Sequence, residues 1–470
     1  RGRRRRPQKL ALAVMAILFL IAYARTAPAS NPEARSWQVR LGARLFKEER
    51  FSAPKGDFIA SCSICHLTDE DPQGARAFTD FFARSWVPFR STDPRRDGLR
   101  NTPTILDVAG MQQLHFDGEF GSLEQLVKGT ISGRNFGYLA GEQDEAYRRV
   151  HQTIVNDAGD RRLGRAPYRD EFKKAYGMDP ASLSPEQLVE LVAKAVSEFM
   201  RTLKTNRTSP YDLFIEMNGL ETGPGSGETA GRFASRLLAR ISDLEQKGGM
   251  KFPRGFDRGA LDGMKIFLRT EGASSAGNCV ACHAPPAFTD AAFHNVGITQ
   301  IEYDRIHGEG SFARLKIPAA AEAVRPAQVF RELISRDKPG NADLGYWNYA
   351  SLTGSAMRRR GESDERFLQR MIAAFKTPTL RNLAYSQPYM HNGAYGSVTD
   401  TIAELMRLSA MAREGRVREA ADELARIRIN QEDVAKLAAF LDSLNEDLKH
   451  LPQQARGQRS GAGGQRSFVK

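Results

Sequence analysis

The chain has 470 residues, of which 41% are hydrophobic and 26% are charged, and this balance excludes both wholesale disorder and a protein with many membrane spans. Its four cysteines are too few for a disulfide scaffold of this length. The net charge of +12 is concentrated at one end, because residues 1–29 hold seven basic residues and no acidic one, and the remainder carries +5. No later stretch has the clustered basic and aromatic residues of a nucleic-acid-binding face, so we expect no nucleic-acid partner.

The first 29 residues have the composition of an export signal. A polybasic run over residues 1–9 precedes a mostly apolar run over residues 10–24, and small residues follow at Ala27 and Ala29. The apolar run is shorter than the roughly 20 residues of a membrane-spanning helix. We therefore predict that residues 1–29 are a signal peptide or a membrane anchor and that the protein is periplasmic. Anchoring in the inner membrane is the alternative to cleavage.

The rest of the chain shows one pattern twice, which predicts two domains, over residues 35–206 and 207–451, and a disordered tail over 452–470. Each copy begins with Cys-x-x-Cys-His and ends with an amphipathic helix. In the first copy Ser184 supplies the N-cap and apolar residues follow at helical spacing, and in the second Asn430 does the same. Between them, a Gly- and Pro-rich connector over 223–227 precedes a further predicted helix over 229–246. Strand signals are sparse, so the predicted fold is mainly α.

The two Cys-x-x-Cys-His segments, Cys62, Cys65 and His66, then Cys279, Cys282 and His283, are typical of covalent c-type haem attachment. Two cysteines on one helical turn can reach two vinyl groups on one edge of a porphyrin, and the adjacent histidine can bind the iron. A thioredoxin-like redox pair and a zinc site with four cysteine ligands are the alternatives. Because all four cysteines fall into such motifs, we predict two covalently bound c-type haems, with His66 and His283 as proximal ligands.

The second axial ligand decides what a haem iron does: a Met or His makes an electron carrier, and an open site binds peroxide or oxygen. In the first copy Met200 lies in the closing helix, where core packing is its expected role. In the second, Met406 lies in an apolar helix that can cross the far face of the haem. We predict Met406 as a distal iron ligand, with ordinary core packing as the alternative.

Further motifs make the sequence resemble the bacterial diheme cytochrome c peroxidases, whose relatives include the methylamine-dehydrogenase maturation enzyme. These motifs are Leu-Arg-Asn-Thr-Pro at 99–103, Phe-Asp-Gly at 116–118, Phe-Thr-Asp at 288–290, Phe-His-Asn-Val-Gly at 293–297, Phe-Lys-Thr-Pro-Thr-Leu-Arg-Asn at 375–382 and Pro-Tyr-Met-His-Asn-Gly at 388–393. The resemblance covers about residues 40–450, apart from insertions around 223–260 and 300–365.

This resemblance implies two cytochrome c-like domains with one haem each. The C-terminal haem would accept electrons from a small donor protein, a cytochrome c or a cupredoxin, and the N-terminal haem would reduce hydrogen peroxide to water. It also implies a calcium ion between the domains, bound by the side chain of Asn101 and the carbonyl groups of Ser386 and Pro388, where serine replaces the usual threonine. Oxygen-only ligation suits Ca²⁺. A homodimer is a further possibility.

The sequence also departs from the family at functional positions. The inter-haem tryptophan is Phe116, and the distal Gln, Pro and Glu are Leu126, Thr130 and Phe136. The loop between Trp86 and Asn101 has no regulatory histidine, and the methionine or tyrosine ligand of the second haem falls on Leu405, one residue before Met406. His115, Glu142 and Asp144 are candidate replacements for the lost acid, and an axial iron ligand is the alternative role for His115. We name His115 and Glu142 as catalytic candidates, and Trp86 as a candidate electron relay.

Three functions remain open from the sequence. The first is an exported oxidoreductase that reduces hydrogen peroxide. The second, favoured by the lost glutamate and tryptophan, is peroxide-driven oxidation of a protein or organic substrate. The third is a diheme electron carrier with no substrate site. Ligation of each iron would discriminate between them, because an open ferric haem is high-spin and binds added ligands.

Overall fold

The computed structural model describes residues 32–57, 59–68, 77–80, 98–319, 325–352 and 355–446. The predicted signal, most of the loop that includes Trp86, and the tail lie outside these residues. No helix in the described part of the chain has both the length and the apolar character of a membrane span.

The N-terminal half is built on one hydrophobic core that extends from Leu41 to Leu203. Its helices are α1 (Pro32–Phe46), α2 (Cys62–Cys65), α3 (Leu123–Ile131), α4 (Gln143–Val155), α5 (Tyr168–Tyr176) and α6 (Pro185–Met200), with a short antiparallel pair β1 (His66–Thr68) and β2 (Ala77–Asp80). The predicted cap is confirmed, since the hydroxyl of Ser184 accepts from the amide of Gln187 and the Gln187 side chain returns the bond.

The C-terminal half contains three smaller cores, between Tyr211 and Leu444. Its helices are α7 (Pro210–Met217), α8 (Ala230–Gln246), α9 (Arg258–Leu268), α10 (Ile298–His307), α11 (Ser311–Arg314), α12 (Asp364–Arg370), α13 (Val398–Arg413), α14 (Asp422–Ala425) and α15 (Gln431–Asp442). The two-residue strands β3 (Phe293–His294) and β4 (Phe375–Lys376) pair antiparallel. The predicted helices of residues 229–246 and of the closing segment are confirmed, with Thr229 and Asn430 as their N-caps. The mainly α prediction is confirmed as well.

The same helix crossing closes both halves. In the first, α1 packs on α6 at Gly42, where a Cβ would lie 1.9 Å from the carbonyl oxygen of Ala195. In the second, α9 packs on α15 at Gly263, where a Cβ would lie 1.9 Å from the carbonyl oxygen of Lys436. Only glycine permits this approach of the two backbones.

An aromatic pair follows four residues after each glycine. The ring centroids of Phe46 and Phe199 are 5.3 Å apart, and those of Phe267 and Phe440 are 5.1 Å apart. The sequence repeat is therefore a repeat of packing: in each half, the helix that precedes the Cys-x-x-Cys-His segment packs on the closing helix.

Candidate functional site

The second Cys-x-x-Cys-His segment forms one tight turn. A 3₁₀ helix covers Cys279–Ala281, and the amide of His283 donates to the carbonyl of Cys279 at 2.8 Å. This turn brings the thiols of Cys279 and Cys282 and the imidazole of His283 to one large cavity, which all three line. Burial, reinforced by the nearby Cys282, raises the pKa of Cys279 to about 12, so the thiol is neutral before any reaction.

The imidazole of His283 is oriented as a metal ligand requires. Its Nδ1 lies 3.0 Å from the carbonyl oxygen of Phe288. A carbonyl only accepts, so Nδ1 is the protonated nitrogen and Nε2 keeps its lone pair for a metal. Burial also lowers the pKa of His283, which favours the neutral form that binds iron.

The cavity, of about 280 Å³, lies between apolar side chains of two separate cores. Its polar groups include three side chains that can carry a positive charge, His294, Lys376 and Arg381, of which Arg381 is paired with Asp212. Burial opposes the charge on His294, but the hydrogen bonds with Asp290 and Cys282 raise its pKa to about 10. Burial lowers the pKa of Lys376 to about 8. An apolar slot with two thiols, an iron-binding imidazole and cations near it fits a planar porphyrin with carboxylate substituents.

The first Cys-x-x-Cys-His segment has the same local form. Cys62 and Cys65 lie on the single turn of α2, and His66 follows as the first residue of β1. Cys62 packs against the N-terminal core, and the rings of Phe46 and His66 are 6.4 Å apart between centroids. Residues 69–76 and 81–97, which follow this segment, lie outside the described residues.

Among the described residues, two groups of three side chains have ligand atoms close enough together to hold a metal ion. One group is Cys282, Asp290 and His294, and the other is His115, Asp117 and Glu119. Neither brings the two cysteine pairs together. The four-cysteine zinc alternative therefore has no support in the described part of the chain.

The predicted catalytic residue His115 lies where the two halves meet. Its Nδ1 is 3.3 Å from Glu119 Oε2, and Glu119 is also paired with Arg331 at 3.1 Å and bonded by the hydroxyl of Tyr349 at 3.2 Å. Burial opposes ionisation of Glu119, yet the hydrogen bond from His115 and the charge of Arg331 lower its pKa to about 2. A carboxylate fixed in this way orients the imidazole, as in acid–base pairs of enzymes.

A buried ion network beside His115 was not predicted. Arg100 pairs with Asp117 at 2.6 Å and holds Asp343 through two bonds of 2.7 Å. Asp343, like Arg331 and Tyr349, belongs to the insertion over 300–365. That insertion therefore fastens the C-terminal half to the turn that contains His115. Its partners lie more than 200 positions away in sequence, so no local pattern indicates the contact.

Other predicted residues are placed as follows. Phe116 lines the C-terminal cavity, whereas Phe136 is 2% exposed in the N-terminal core. Glu142 precedes α4, and its Oε2 accepts from the amide of Leu139 at 2.8 Å. Leu405 lines the C-terminal cavity, and Met406 is not among its lining residues.

The three predicted calcium ligands all line this same cavity. The side-chain amide of Asn101 lies 2.5 Å from the carbonyl oxygen of Pro388 and 3.3 Å from that of Met390. Its backbone amide donates to His391 at 2.6 Å. The structure thus brings the Asn101 side chain and the Pro388 carbonyl together across the two halves of the chain.

Comparison with known proteins agrees with this geometry. Residues 36–219 match the family model described as di-haem cytochrome c peroxidase. Over these residues the chain is similar to the di-haem cytochrome c peroxidases. The resemblance seen in the motifs is confirmed, and the family description implies two haem groups and an oxidoreductase of the peroxidase type.

The individual relatives are distant but cover most of the chain. The methylamine utilization protein MauG of Methylophilus methylotrophus is 22% identical over 420 residues, 89% of this chain and 85% of the relative. The cytochrome-c peroxidase IdrP1 of Denitromonas iodatirespirans is 22% identical over 426 residues, 90% of this chain and 85% of the relative. The crystal structure of the diheme peroxidase BthA from Burkholderia thailandensis E264 aligns with a TM-score of 0.51 at 18% identity, covering 87% of this chain and 86% of BthA. At that identity the structural likeness supports the fold alone.

Proposed function

We propose that this chain is an exported, periplasmic diheme c-type oxidoreductase that reduces hydrogen peroxide with electrons from a small redox protein. The balanced reaction takes one peroxide, two electrons and two protons to two waters. The observation that carries the proposal is the repeated Cys-x-x-Cys-His turn, one copy on each half of the chain, with His283 held so that Nε2 is left for iron.

The residues present fit two covalently bound haems. Cys62 and Cys65 would form thioethers to one haem and Cys279 and Cys282 to the other, with His66 and His283 as proximal ligands. A bound haem would supply the iron that receives peroxide in the N-terminal half and exchanges electrons in the C-terminal half. The chain itself must supply the protons and exclude competing reactions.

We propose His115 as the group that handles protons in the N-terminal half. Peroxide cleavage needs a proton moved from one oxygen to the other, and general acid–base groups contribute about 10²–10⁴-fold to such steps. The glutamate of the family is replaced here by the buried Phe136. His115 is oriented by Glu119 and its side chain is 31% exposed, so it can exchange protons with solvent. Glu142 remains a second candidate, although its carboxylate already caps the turn at Leu139.

A calcium ion between the halves is part of the proposal. Binding calcium would require the side-chain amide of Asn101 to rotate, which gives up the bond of 2.9 Å from the Thr102 amide to Oδ1 and puts Oδ1 beside the carbonyl oxygen of Pro388. Two oxygens so close repel unless a cation lies between them, and Ca²⁺ accepts such ligands. The carbonyl of Ser386 would complete the protein ligands.

The experiment uses the mature holoprotein, exported from a host that attaches c-type haems. Mass spectrometry should find two added haems, one on each cysteine pair. Peroxide consumption with a reduced small cytochrome c as donor should then fall by about 10²–10⁴-fold in His115→Gln. The matched control is His151→Gln, because His151 only contacts the backbone oxygen of Leu183. An unchanged rate in His115→Gln would refute its role, and missing haems would refute the proposal as a whole.

A second variant tests how the two haems divide the reaction. His66→Gly should loosen the first haem and abolish peroxide reduction, while the spectrum of the second haem stays intact. Retained peroxide reduction in this variant would contradict the assignment.

One observation favours a second candidate function. Phe116 and Phe136 replace the residues that the family uses to relay electrons and handle protons, which suits peroxide-driven oxidation of a protein or organic substrate. The same assay distinguishes the three functions. Each peroxide oxidises two molecules of a one-electron donor, so peroxide consumed at more than half the rate of donor oxidation indicates another substrate. Two low-spin haems that do not react with peroxide after one-electron reduction indicate an electron carrier.

A further inference from the structure

The C-terminal cavity has two distinct apolar walls. One belongs to the core that contains Cys279 and Phe288, and Phe267, Leu437 and Leu441 also line the cavity from that core. The opposite wall belongs to a separate small core, whose members at the cavity are Val296, Ile298, Met390, Leu405, Leu424 and Ile427. His283 follows Cys279 of the first wall by four residues and bonds to the carbonyl of Phe288 in the same core, so we look for a sixth ligand to the same iron on the second wall.

The position at which the family has the methionine or tyrosine ligand of the second haem is Leu405 on the second wall. The aliphatic side chain of leucine cannot bind iron. Met406, the next residue on α13, is not among the residues that line the cavity. Met390 does line it and packs in the same core as Leu405. Met390 is the one methionine among the residues that line this cavity.

The histidines and tyrosines at the cavity, apart from His283, have other contacts; the hydroxyl of Tyr385, for example, donates to the backbone oxygen of Glu446 at 3.2 Å. The Nε2 of His294 lies 2.8 Å from a carboxylate oxygen of Asp290, and His294 also hydrogen-bonds with Cys282. The Nε2 of His391 lies 3.4 Å from the hydroxyl of Thr299, and its ring stacks on Phe375 at 3.5 Å between centroids. The hydroxyl of Tyr389 donates to a backbone carbonyl at 2.8 Å. A thioether needs no hydrogen bond, so Met390 has no competing polar role for its sulfur.

The internal repeat gives independent support. Met390 has a φ of 70°, and its counterpart in the first half, His115, has a φ of 64°. Each begins a turn closed by an isolated bridge, Leu114 with Phe120 and Tyr389 with Tyr395. Non-glycine residues rarely adopt this left-handed conformation, and it is concentrated at functional sites. Both halves therefore use the same strained position to present a side chain.

We propose that the thioether sulfur of Met390 is the sixth ligand of the iron in the C-terminal haem. His–Met ligation raises the reduction potential and keeps the iron six-coordinate, which suits a haem that only passes electrons. The inference rests on the part of the proposed function that places a haem on Cys279 and Cys282.

The test is spectroscopic and uses the holoprotein. The ferric protein should show the near-infrared charge-transfer band of methionine-ligated iron. Met390→Ala should lose that band, convert one haem to the high-spin form and let it bind carbon monoxide when reduced. Met390→His should give a low-spin haem with a bis-histidine spectrum in place of the methionine band. Met406→Ala is the matched control, and should keep the wild-type band.

The outcomes separate the two proposals. If mass spectrometry finds no haem on Cys279 and Cys282, the proposed function and this ligand assignment both fail. If the haem is attached but the wild-type protein lacks the methionine band, or Met390→Ala retains it, the assignment alone is overturned. If Met406→Ala loses the band and Met390→Ala retains it, the ligand is Met406 on α13.

Discussion

Gly263→Ala should destabilise the C-terminal half, because the added methyl group has no room. Its Cβ would lie 1.9 Å from the carbonyl oxygen of Lys436 and 2.9 Å from the Cβ of Phe440, whereas ordinary contacts begin at 3.4 Å. Helices α9 and α15 would have to separate by roughly 1.5 Å, which is overpacking of a tight interface.

The magnitude follows from two opposed effects. Overpacking costs about 1–3 kcal/mol, and a clash with a backbone carbonyl belongs at the upper end because the carbonyl cannot rotate away. Alanine gains about 1 kcal/mol over glycine in a helix interior. The net loss in the free energy of unfolding is therefore about 2 kcal/mol, which lowers the melting temperature of a domain of this size by about 4–8 °C.

Thermal unfolding of the holoprotein, followed by circular dichroism and by the absorbance of the haems, measures this loss. Gly231→Ala is the matched control, because Gly231 is also helical and its Cβ would meet nothing closer than 4.0 Å. That variant should be as stable as the wild type or more stable. If Gly263→Ala has the same melting temperature as the wild type, the close crossing of α9 and α15 does not stabilise this half.

Three more predictions concern the contact between the halves. Arg100→Met leaves Asp117 and Asp343 buried without their cation, so it should cost about 3–5 kcal/mol in denaturant unfolding; a loss below 1 kcal/mol would contradict the buried network. The lowered pKa of Glu119, about 2 in the fold, contributes at most about 3 kcal/mol at neutral pH, lost as the pH falls from about 4.5 towards 2. Glu119→Gln should flatten that acid dependence in pH-resolved melts, and an unchanged slope would refute it. Calcium chelation should lower the melting temperature of the wild type but not of Asn101→Leu, and equal responses would argue against the proposed calcium site.

The helices were predictable where short-range patterns determine them. Ser184 and Asn430 cap their helices as predicted, because a cap and its partner lie within one turn of each other. The glycine crossings were missed, although a signal was present: Gly42 and Gly263 each precede a phenylalanine by four residues and lie ahead of a Cys-x-x-Cys-His segment.

The contacts between the halves were not predictable in the same way. Arg100 and Asp343 are 243 positions apart, and nothing local to either residue specifies the other. The position of Leu405 on the cavity wall follows from counting, but the presence of Met390 beside it depends on how α13 packs against the turn over 389–395. A helix fixes which residues share a face, whereas tertiary packing decides which loop residue lies opposite that face.

The internal repeat also accounts for how one scaffold can divide peroxide chemistry from electron transfer. His115 and Met390 begin equivalent turns with the same left-handed backbone, so the scaffold presents one side chain from the same place in each half. An imidazole oriented by Glu119 can move protons, and a thioether cannot; a thioether can hold an iron low-spin at high potential. On the proposed function, the contact with Glu119 holds His115 in a proton-moving role, whereas the counterpart of Glu119 in the second half is Ala394, so nothing at that position holds a side chain at 390 away from the iron. These two differences together would make one haem reactive and the other a carrier. Met390→His, which gives the second half the residue of the first, tests that division directly, because it should lower the reduction potential of the C-terminal haem without creating a second peroxide site.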